Sequence, residues 1–288
     1  MKVRATRTLP GPAWDELSDV ELAPADRPGP DVDVLVVVNE PVDLDLFPVL
    51  RLIANYSVGY DRIDVAACAT RGVAVTNTPG VLDAATADLA MGLILAARRR
   101  LVAGDRFVRS GGWGTSWAEV QLEAREVSGA TLGIVGLGRI GSAVAQRGHG
   151  FDMNVVSVRS RDGDLDELMR TSDVVSVHVP LSAETTGLIT RERLALLRDG
   201  ATFVNTARGA IVDEDALVDE LVSGRITAGL DVFVHEPHVP EALFGLDNVV
   251  LTPHIASGTV ETRAAMTRIV ADNVLAFVRG EALPNRVV

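Results

Sequence analysis

Short apolar runs alternate with amphipathic stretches along most of this chain. Residues 34–38, 50–54 and 73–75 are apolar runs bounded by polar or turn-forming residues, which is the pattern of buried strands. Runs of the same kind recur later, at residues 132–135, 154–158, 174–179, 202–205, 228–233 and 249–251. Strands that alternate with helical stretches predict an α/β protein with parallel sheets.

Two longer stretches have apolar side chains at helical spacing. In residues 84–101 the apolar positions include Ala90, Leu93 and Ala97, which predicts one long helix with a run of arginines near its end. Residues 260–279 predict a last helix, which we expect to pack on the first domain.

At 288 residues and 47% hydrophobic composition, the chain is long enough for two folded domains. We expect residues 1–84 and 263–288 to form one domain and residues 85–262 the other.

The apolar runs are shorter than the roughly 18 residues that cross a membrane, and the N-terminus lacks the apolar core of a signal peptide. Cys68 is the only cysteine, so an internal disulfide and a cysteine-based metal site are excluded. We therefore expect a cytoplasmic protein with no metal site.

The formal net charge is −12, from 27 basic and 39 acidic residues. Nucleic acids and anionic membranes bind basic surfaces, so neither is an expected partner. Any anion must be bound by a few focused arginines.

A glycine-rich turn joins a strand to a helix. The run at 132–135 leads into Gly136, Gly138 and Gly141, and a helical pattern follows over 140–147. In this motif the first glycine permits a tight turn, the second lets a pyrophosphate approach the backbone, and the third lets the helix pack on its strand. The free N–H groups of the helix then face the phosphates. The segment predicts a dinucleotide-binding domain.

Three short motifs follow consecutive strands of the second domain. They are Asn-Thr-Ala-Arg-Gly at 205–209, Asp-Val-Phe-Val-His-Glu-Pro at 231–237 and Thr-Pro-His-Ile-Ala-Ser at 252–257. Ligands of open α/β sheets bind at the carboxyl ends of strands, so Arg208, Glu236 and His254 are expected to converge there. An arginine that binds an anion and polarises a carbonyl, a histidine that supplies a proton and a carboxylate that orients the histidine suit the reduction of a carbonyl acid.

Each of these side chains also has a structural interpretation. Arg208 is alternatively a surface arginine, Glu236 a turn cap before Pro237, and His254 a hydrogen-bonded core histidine. The remaining histidines are interpreted as structural or solvent-facing and two tryptophans as packing residues: His149, His178, His235, His238, Trp113 and Trp117.

With these motifs in place, the chain resembles the D-isomer-specific 2-hydroxyacid dehydrogenases over residues 55–263. The resemblance includes Asn-Tyr-Ser-Val-Gly-Tyr-Asp-Arg-Ile-Asp at 55–64, Val-Thr-Asn-Thr-Pro-Gly at 75–80 and His-Val-Pro-Leu at 178–181. It implies two Rossmann-like, doubly wound parallel-sheet domains with the active site in the cleft between them.

The resemblance also implies roles for individual residues. Arg208 matches the substrate-binding arginine, Glu236 the carboxylate of the acid/base pair and His254 the acid/base itself. Val58 and Gly59 match the loop whose backbone N–H groups bind the substrate carboxylate. The positions that match the cofactor site are Gly136, Gly138, Arg139, Ile140, Gly141, Val179, Pro180, Thr185, Thr206, Ala207, Asp231, His254 and Ser257.

Within the family, residues 78–89 and 106–117 look most like the glyoxylate/hydroxypyruvate reductases. In that branch the second region helps to form the dimer, so a homodimer is expected. The connection after Arg159 is shorter than is usual in the family, which indicates that a strand or helix is trimmed there.

The end of the second nucleotide-domain strand distinguishes the two nicotinamide cofactors. NAD enzymes place an acid there, roughly 20 residues past the glycines, to accept from the ribose 2′-OH. Here the strand ends in Arg159, Ser160 and Arg161, with Arg159 18 residues beyond Gly141. A guanidinium pairs with a 2′-phosphate, whereas a carboxylate would repel it. We predict a preference for NADP(H), with NAD(H) possible; the alternative is that both arginines are merely solvated.

These features predict an NADP(H)-preferring reductase of small 2-oxo acids, with glyoxylate or hydroxypyruvate favoured. A D-3-phosphoglycerate dehydrogenase-like enzyme is the first alternative, but it would want more basic residues than the Arg51 and Arg62 found near the substrate loop. A non-catalytic dinucleotide sensor that binds a partner protein is the second, although such a protein needs no proton donor.

Overall fold

The structure, a computed structural model, describes residues 1–114, 122–159 and 164–288. It divides into two compact units. Unit 1 comprises Met1–Leu82 and Ser257–Val288, and unit 2 comprises Asp83–Ala256. Within the described ranges, no helix combines the length and the apolar character needed to traverse a bilayer.

In chain order, the strands are β1 (Val3–Ala5), β2 (Val20–Leu22), β3 (Val34–Val37), β4 (Leu52–Asn55), β5 (Ala74–Thr76), β6 (Thr131–Val135), β7 (Asn154–Val158), β8 (Val174–Val177), β9 (Thr202–Asn205), β10 (Thr227–Leu230) and β11 (Val249–Leu251). The α-helices are α1 (Val65–Thr70), α2 (Asp83–Arg98), α3 (Leu101–Arg109), α4 (Arg139–Gly150), α5 (Leu165–Thr171), α6 (Arg191–Ala195), α7 (Glu214–Val222) and α8 (Val260–Arg279). Short 3-10 helices cover Pro12–Glu16, Leu44–Leu46, Gly209–Ile211 and Glu241–Leu243.

Unit 1 is built on a parallel sheet with the strand order β2-β1-β3-β4-β5. Every residue of β3 and β4 is buried, as expected when helices cover both faces of a parallel sheet. Leu35 and Ile53 pack in one cluster with Cys68 of α1, while α8 contacts β4.

Unit 2 is built on a second parallel sheet, with the order β11-β10-β9-β8-β6-β7. Val174 and Val175 are neighbours in β8 but belong to different core clusters, because side chains alternate across a strand. The Val174 cluster includes residues of α2 and α4, and the Val175 cluster includes residues of α5 and α7. Helices therefore cover both faces of the sheet. The predicted α/β class, with two doubly wound parallel-sheet domains, is confirmed.

Strand β7 lies at the edge of the unit 2 sheet. After β7 the chain forms α5 and returns to the far side of β6 as β8. No strand in the described part of the chain pairs with the outer edge of β7. The trimming of the connection after Arg159 relative to the family stays a prediction.

The predicted helix over 84–101 is wrong in its extent. Helix α2 ends at Arg98, and α3 begins only after Arg100, which has a left-handed φ of 54°. The Arg98 side chain is buried and donates hydrogen bonds to the carbonyl oxygens of Glu126 and Asp173. Arg98 therefore anchors the end of α2 to two backbone carbonyls.

Three strands end earlier than predicted, and two were not predicted. Strand β3 ends at Val37 rather than 38, β8 at Val177 rather than 179 and β10 at Leu230 rather than 233. In β8 and β10 the strand ends where a polar residue, His178 or Asp231, begins the loop. Strands β1 and β2, of three residues each, are too short to show a period in the sequence.

Candidate active site

The glycine-rich turn has the geometry that a pyrophosphate requires. Gly136 has a φ of +100°, and a Cβ there would lie 2.9 Å from the carbonyl carbon of His178. A Cβ on Gly141 would lie 2.1 Å from the Gly136 oxygen, whereas a Cβ on Gly138 would have no atom of the described residues within 4 Å. Within the described ranges, no side chain caps the start of α4. Gly136 and Gly141 thus permit the close packing of the turn, and Gly138 leaves room for a dinucleotide at the start of α4.

Apart from Ser257, which belongs to unit 1, the other predicted cofactor residues that the structure describes lie in the segments that follow the unit 2 strands. The Thr185 hydroxyl donates to the Pro180 oxygen (2.6 Å), so it braces the turn after β8. Arg139 lies 3.5 Å from Asp83. Arg159 is exposed at the end of β7, while Ser160 and Arg161 lie outside the described residues, as does Trp117.

Thr206 follows β9 and has a buried hydroxyl. Its Oγ1 has no hydrogen-bond partner among the described residues, although the side chain is nine-tenths buried. An unsatisfied buried hydroxyl is costly, so this atom fits a position that a polar ligand group completes.

His178 follows β8, beside the glycine turn. Its Nε2 lies 2.8 Å from the Ser176 hydroxyl. Burial lowers the pKa of His178 to about 4, so the imidazole is neutral at physiological pH.

This pKa gives a stability prediction. Between pH 6.5 and about 4 the unfolded chain takes up a proton at this position and the folded chain does not, so the free energy of unfolding should fall by up to about 3 kcal/mol as the pH drops. The free energy of unfolding, measured by urea denaturation across this pH range, should depend less steeply on pH in His178→Gln than in the wild type. His149→Gln, at an exposed position, is the control. If the free energy of unfolding of His178→Gln depends on pH as steeply as that of the wild type, the low pKa of His178 is refuted.

The Arg208 loop is held in shape by Asn205, the last residue of β9. Asn205 is buried; its Oδ1 accepts from Ala207 N–H (3.0 Å) and its Nδ2 donates to the Arg208 oxygen (2.9 Å). Arg208 itself is half-buried and donates to the Ala207 oxygen (2.7 Å). The amide thus closes a tight turn that presents the guanidinium at the end of the strand.

Glu236 and His254 form a pair. His254 Nδ1 lies 2.8 Å from Glu236 Oε2, and Glu236 Oε1 accepts from the Phe233 N–H (3.0 Å). Glu236 therefore caps a turn and orients a histidine at once, so its structural and functional interpretations are compatible. The His254 side chain is 45% exposed, which excludes the core-histidine interpretation.

Asp231 fixes the backbone on which His254 sits. Its buried carboxylate accepts from Thr252 Oγ1 (2.5 Å) and from the N–H groups of Ile255 and Ala256 (both 2.9 Å). Burial raises the pKa of Asp231, and these hydrogen bonds oppose that rise. The three bonds hold His254 at a φ of +53°, a left-handed conformation that is uncommon for residues other than glycine.

The loop that carries Arg208 and the loop that carries Glu236 are in direct backbone contact. A Cβ on Gly209 would lie 2.1 Å from the Phe233 carbonyl carbon and 2.4 Å from the Val234 nitrogen. Glu214, at the start of α7, accepts from the same Val234 N–H (2.8 Å). Only glycine permits this approach.

Unit 2 therefore brings Glu236 and His254 into contact and places the Arg208 loop against the glutamate loop. The supporting roles of Asn205 and Thr252 were not predicted. Asn205 immediately precedes the predicted Thr206, and Thr252 lies two residues before His254 in the same motif, and that proximity was the available signal. Val58, Gly59 and Ser257 belong to unit 1.

Comparison with known proteins identifies the family. Residues 91–256 match the family model of the D-isomer specific 2-hydroxyacid dehydrogenase NAD binding domain. The chain is 47% identical to a glyoxylate reductase of Korarchaeum cryptofilum, over 89% of this chain and 83% of that protein. It is 46% identical to the glyoxylate reductase of Pyrococcus furiosus, over 95% and 88%.

A solved structure agrees with these matches. It is the NADPH-dependent glyoxylate/hydroxypyruvate reductase of Sinorhizobium meliloti in complex with NADP and malonate. That protein is 35% identical, with a TM-score of 0.88 over 100% of this chain and 97% of the other. The resemblance drawn from the motifs is confirmed: this chain belongs to the D-isomer-specific 2-hydroxyacid dehydrogenase family.

Proposed function

We propose that this protein is an NADPH-dependent reductase that converts small 2-oxo acids, glyoxylate or hydroxypyruvate, to 2-hydroxy acids. The 2.8 Å pair of His254 and Glu236 carries the proposal, because it supplies an oriented proton donor at the carboxyl end of a dinucleotide-binding sheet. The names of the related reductases support the choice of substrate.

The residues have distinct proposed roles. When bound, the cofactor supplies the hydride that reduces the substrate carbonyl. His254 Nδ1 faces Glu236, so Nε2 is the nitrogen that donates a proton to the nascent alkoxide. Glu236 stabilises the imidazolium, and Arg208 with the N–H groups of Val58 and Gly59 binds the substrate carboxylate.

The glycine turn fits a dinucleotide, and the residues proposed to hold it follow from that turn. The α4 N–H groups after Gly138 would bind the pyrophosphate, and Thr206, Ala207 and Asp231 would hold the nicotinamide end. Asp231 already accepts three hydrogen bonds from residues 252–256, so we propose that it positions His254 as well.

NADPH preference is proposed from Arg159, which is exposed at the end of the edge strand β7. Arg159→Ala should raise the KM for NADPH on the order of tenfold, about 1.4 kcal/mol, and leave the KM for NADH unchanged, because only NADPH carries the 2′-phosphate. Steady-state kinetics with both cofactors measure this. Arg170→Ala, an exposed arginine on α5, is the matched control. Equal effects on the two cofactors would show that Arg159 does not recognise the 2′-phosphate.

The proposed activity is tested by initial rates of NADPH and NADH oxidation with glyoxylate and with hydroxypyruvate. Rapid NADPH oxidation is expected. NADH-only turnover would retain the chemistry and overturn the cofactor preference. Turnover only with a phosphorylated acid would favour the phosphoglycerate dehydrogenase-like enzyme, and cofactor binding without turnover would favour a sensor.

The homodimer and the cytoplasmic location expected from the sequence also remain proposals. Helix α3 supports the first, because Leu101, Val102 and Val108 are large apolar side chains exposed on it.

A further inference from the structure

The loop after β4 has three consecutive carbonyl oxygens that accept hydrogen bonds. The Ser57 oxygen accepts from Thr78 N–H (3.0 Å) and, at 3.4 Å, from Asn55 Nδ2. The Val58 oxygen accepts from Asn77 Nδ2 (2.9 Å), and the Gly59 oxygen accepts from Asn55 Nδ2 (2.7 Å). Two asparagine amides thus account for most of the bonds that fix this loop.

These bonds determine where the loop N–H groups point. In a trans peptide the C=O of one residue and the N–H of the next point in opposite directions within the peptide plane. Holding the oxygens of Ser57, Val58 and Gly59 inward therefore turns the N–H groups of residues 58, 59 and 60 outward. Across the described ranges no acceptor is paired with the Val58, Gly59 or Tyr60 N–H. Successive N–H groups of this kind form an anion-binding concavity.

The two amides are themselves held in place. Asn55 is fully buried, and its Oδ1 accepts from the Asn39 N–H (2.8 Å). The Asn77 N–H donates to the Asn285 oxygen (3.3 Å), and Asn285 exchanges two hydrogen bonds with the side chain of Asn273 on α8. The donors are therefore fixed before any ligand arrives.

We propose that Asn55 and Asn77 are positioning residues that keep the N–H groups of Val58, Gly59 and Tyr60 directed outward as a preformed cradle for the substrate carboxylate. This inference rests on the proposed function. Fixing the loop in advance lowers the ordering cost of binding. Donation to each carbonyl also polarises its peptide and strengthens the N–H as a donor.

Asn77→Ala tests the proposal, since this half-buried side chain can be removed with less risk to folding than Asn55. The KM for glyoxylate should rise roughly tenfold, about 1.4 kcal/mol, with kcat changed less than about threefold. The dissociation constant of oxalate, a non-reactive carboxylate, from the NADPH complex should rise by a similar factor. The dissociation constant of NADPH itself should stay within about twofold of wild type.

Asn248→Ala is the matched control. Asn248 Nδ2 also donates to two backbone carbonyls, those of Leu221 and Ile226, but in unit 2. The Asn248→Ala substitution should lower the melting temperature without raising the KM for glyoxylate. A KM and an oxalate affinity in Asn77→Ala equal to those of Asn248→Ala would overturn the proposal.

The oxalate measurement separates this inference from the proposed function. If the wild type reduces no 2-oxo acid but binds oxalate, and Asn77→Ala weakens that binding, the cradle stands and the reductase does not. If the wild type turns over and Asn77→Ala matches it in KM, the reductase stands and the cradle falls. If the wild type neither turns over nor binds oxalate, both are overturned.

Discussion

His254→Asn should lower kcat/KM for 2-oxo acid reduction by roughly 10²–10⁴-fold, the range that one positioned acid/base group contributes. Asparagine is chosen because it tolerates the left-handed conformation at this position, where φ is +53°. The bonds from Ile255 and Ala256 to Asp231 do not involve the imidazole, so the loop should survive. NADPH affinity and melting temperature should therefore be close to those of the wild type.

Steady-state kinetics and fluorescence titration of NADPH make the comparison. His254→Ala should be equally slow, which would separate loss of the imidazole from backbone strain. Glu236→Gln should show a smaller loss, because it retains an acceptor for the Phe233 N–H but not the charge that stabilises the imidazolium. His149→Asn, at an exposed position, should behave as wild type. A fast His254→Asn enzyme would remove His254 from the mechanism.

Arg208→Ala should lower kcat/KM on the order of 10³-fold, about 4 kcal/mol, because it removes the only side-chain cation proposed to bind the substrate carboxylate. Most of the loss should appear in KM, with a further part in kcat from the unpolarised carbonyl. Arg208→Lys should recover only part of the lost kcat/KM, since an ammonium group cannot bind a carboxylate through two parallel hydrogen bonds as the planar guanidinium does.

Arg191→Ala is the matched control for this substitution. Arg191 is an exposed arginine of unit 2 that pairs with Asp219 (2.8 Å), and its loss should leave the kinetics unchanged. Full activity in Arg208→Ala would assign the substrate carboxylate to another group, and unchanged KM with reduced kcat would restrict Arg208 to polarising the carbonyl.

Structural features that depend only on neighbouring residues in the chain could be predicted from the sequence. Helix α8 spans Val260–Arg279 as its apolar spacing predicts, and the glycine turn follows β6 where the motif places it. Features that depend on distant partners could not. The burial of Arg98 depends on carbonyls at residues 126 and 173, and nothing within 84–101 reveals them.

In the candidate site, too, some features could be predicted from local sequence, whereas others depend on contacts between distant residues. Arg208, Glu236 and His254 could be named because each follows a strand in a motif of reactive residues. The pairing of Nδ1 with Oε2 depends on two loops 18 positions apart in the chain. Asn205 and Asn55 end their strands and look like ordinary turn residues; only the folded chain shows that their amides hold Arg208 and the Val58 loop.

The absence of a side chain at Gly209 constrains how the substrate range of this enzyme can be altered. Because its backbone packs directly against Phe233 and Val234, a side chain at position 209 would displace the segment that carries Glu236 as well as the one that carries Arg208. A mutagenesis library that randomises residues 206–210 to admit bulkier acids would mostly yield variants in which both segments are displaced together. Diversity is better introduced elsewhere, with residue 209 kept as glycine or varied jointly with 233 and 234.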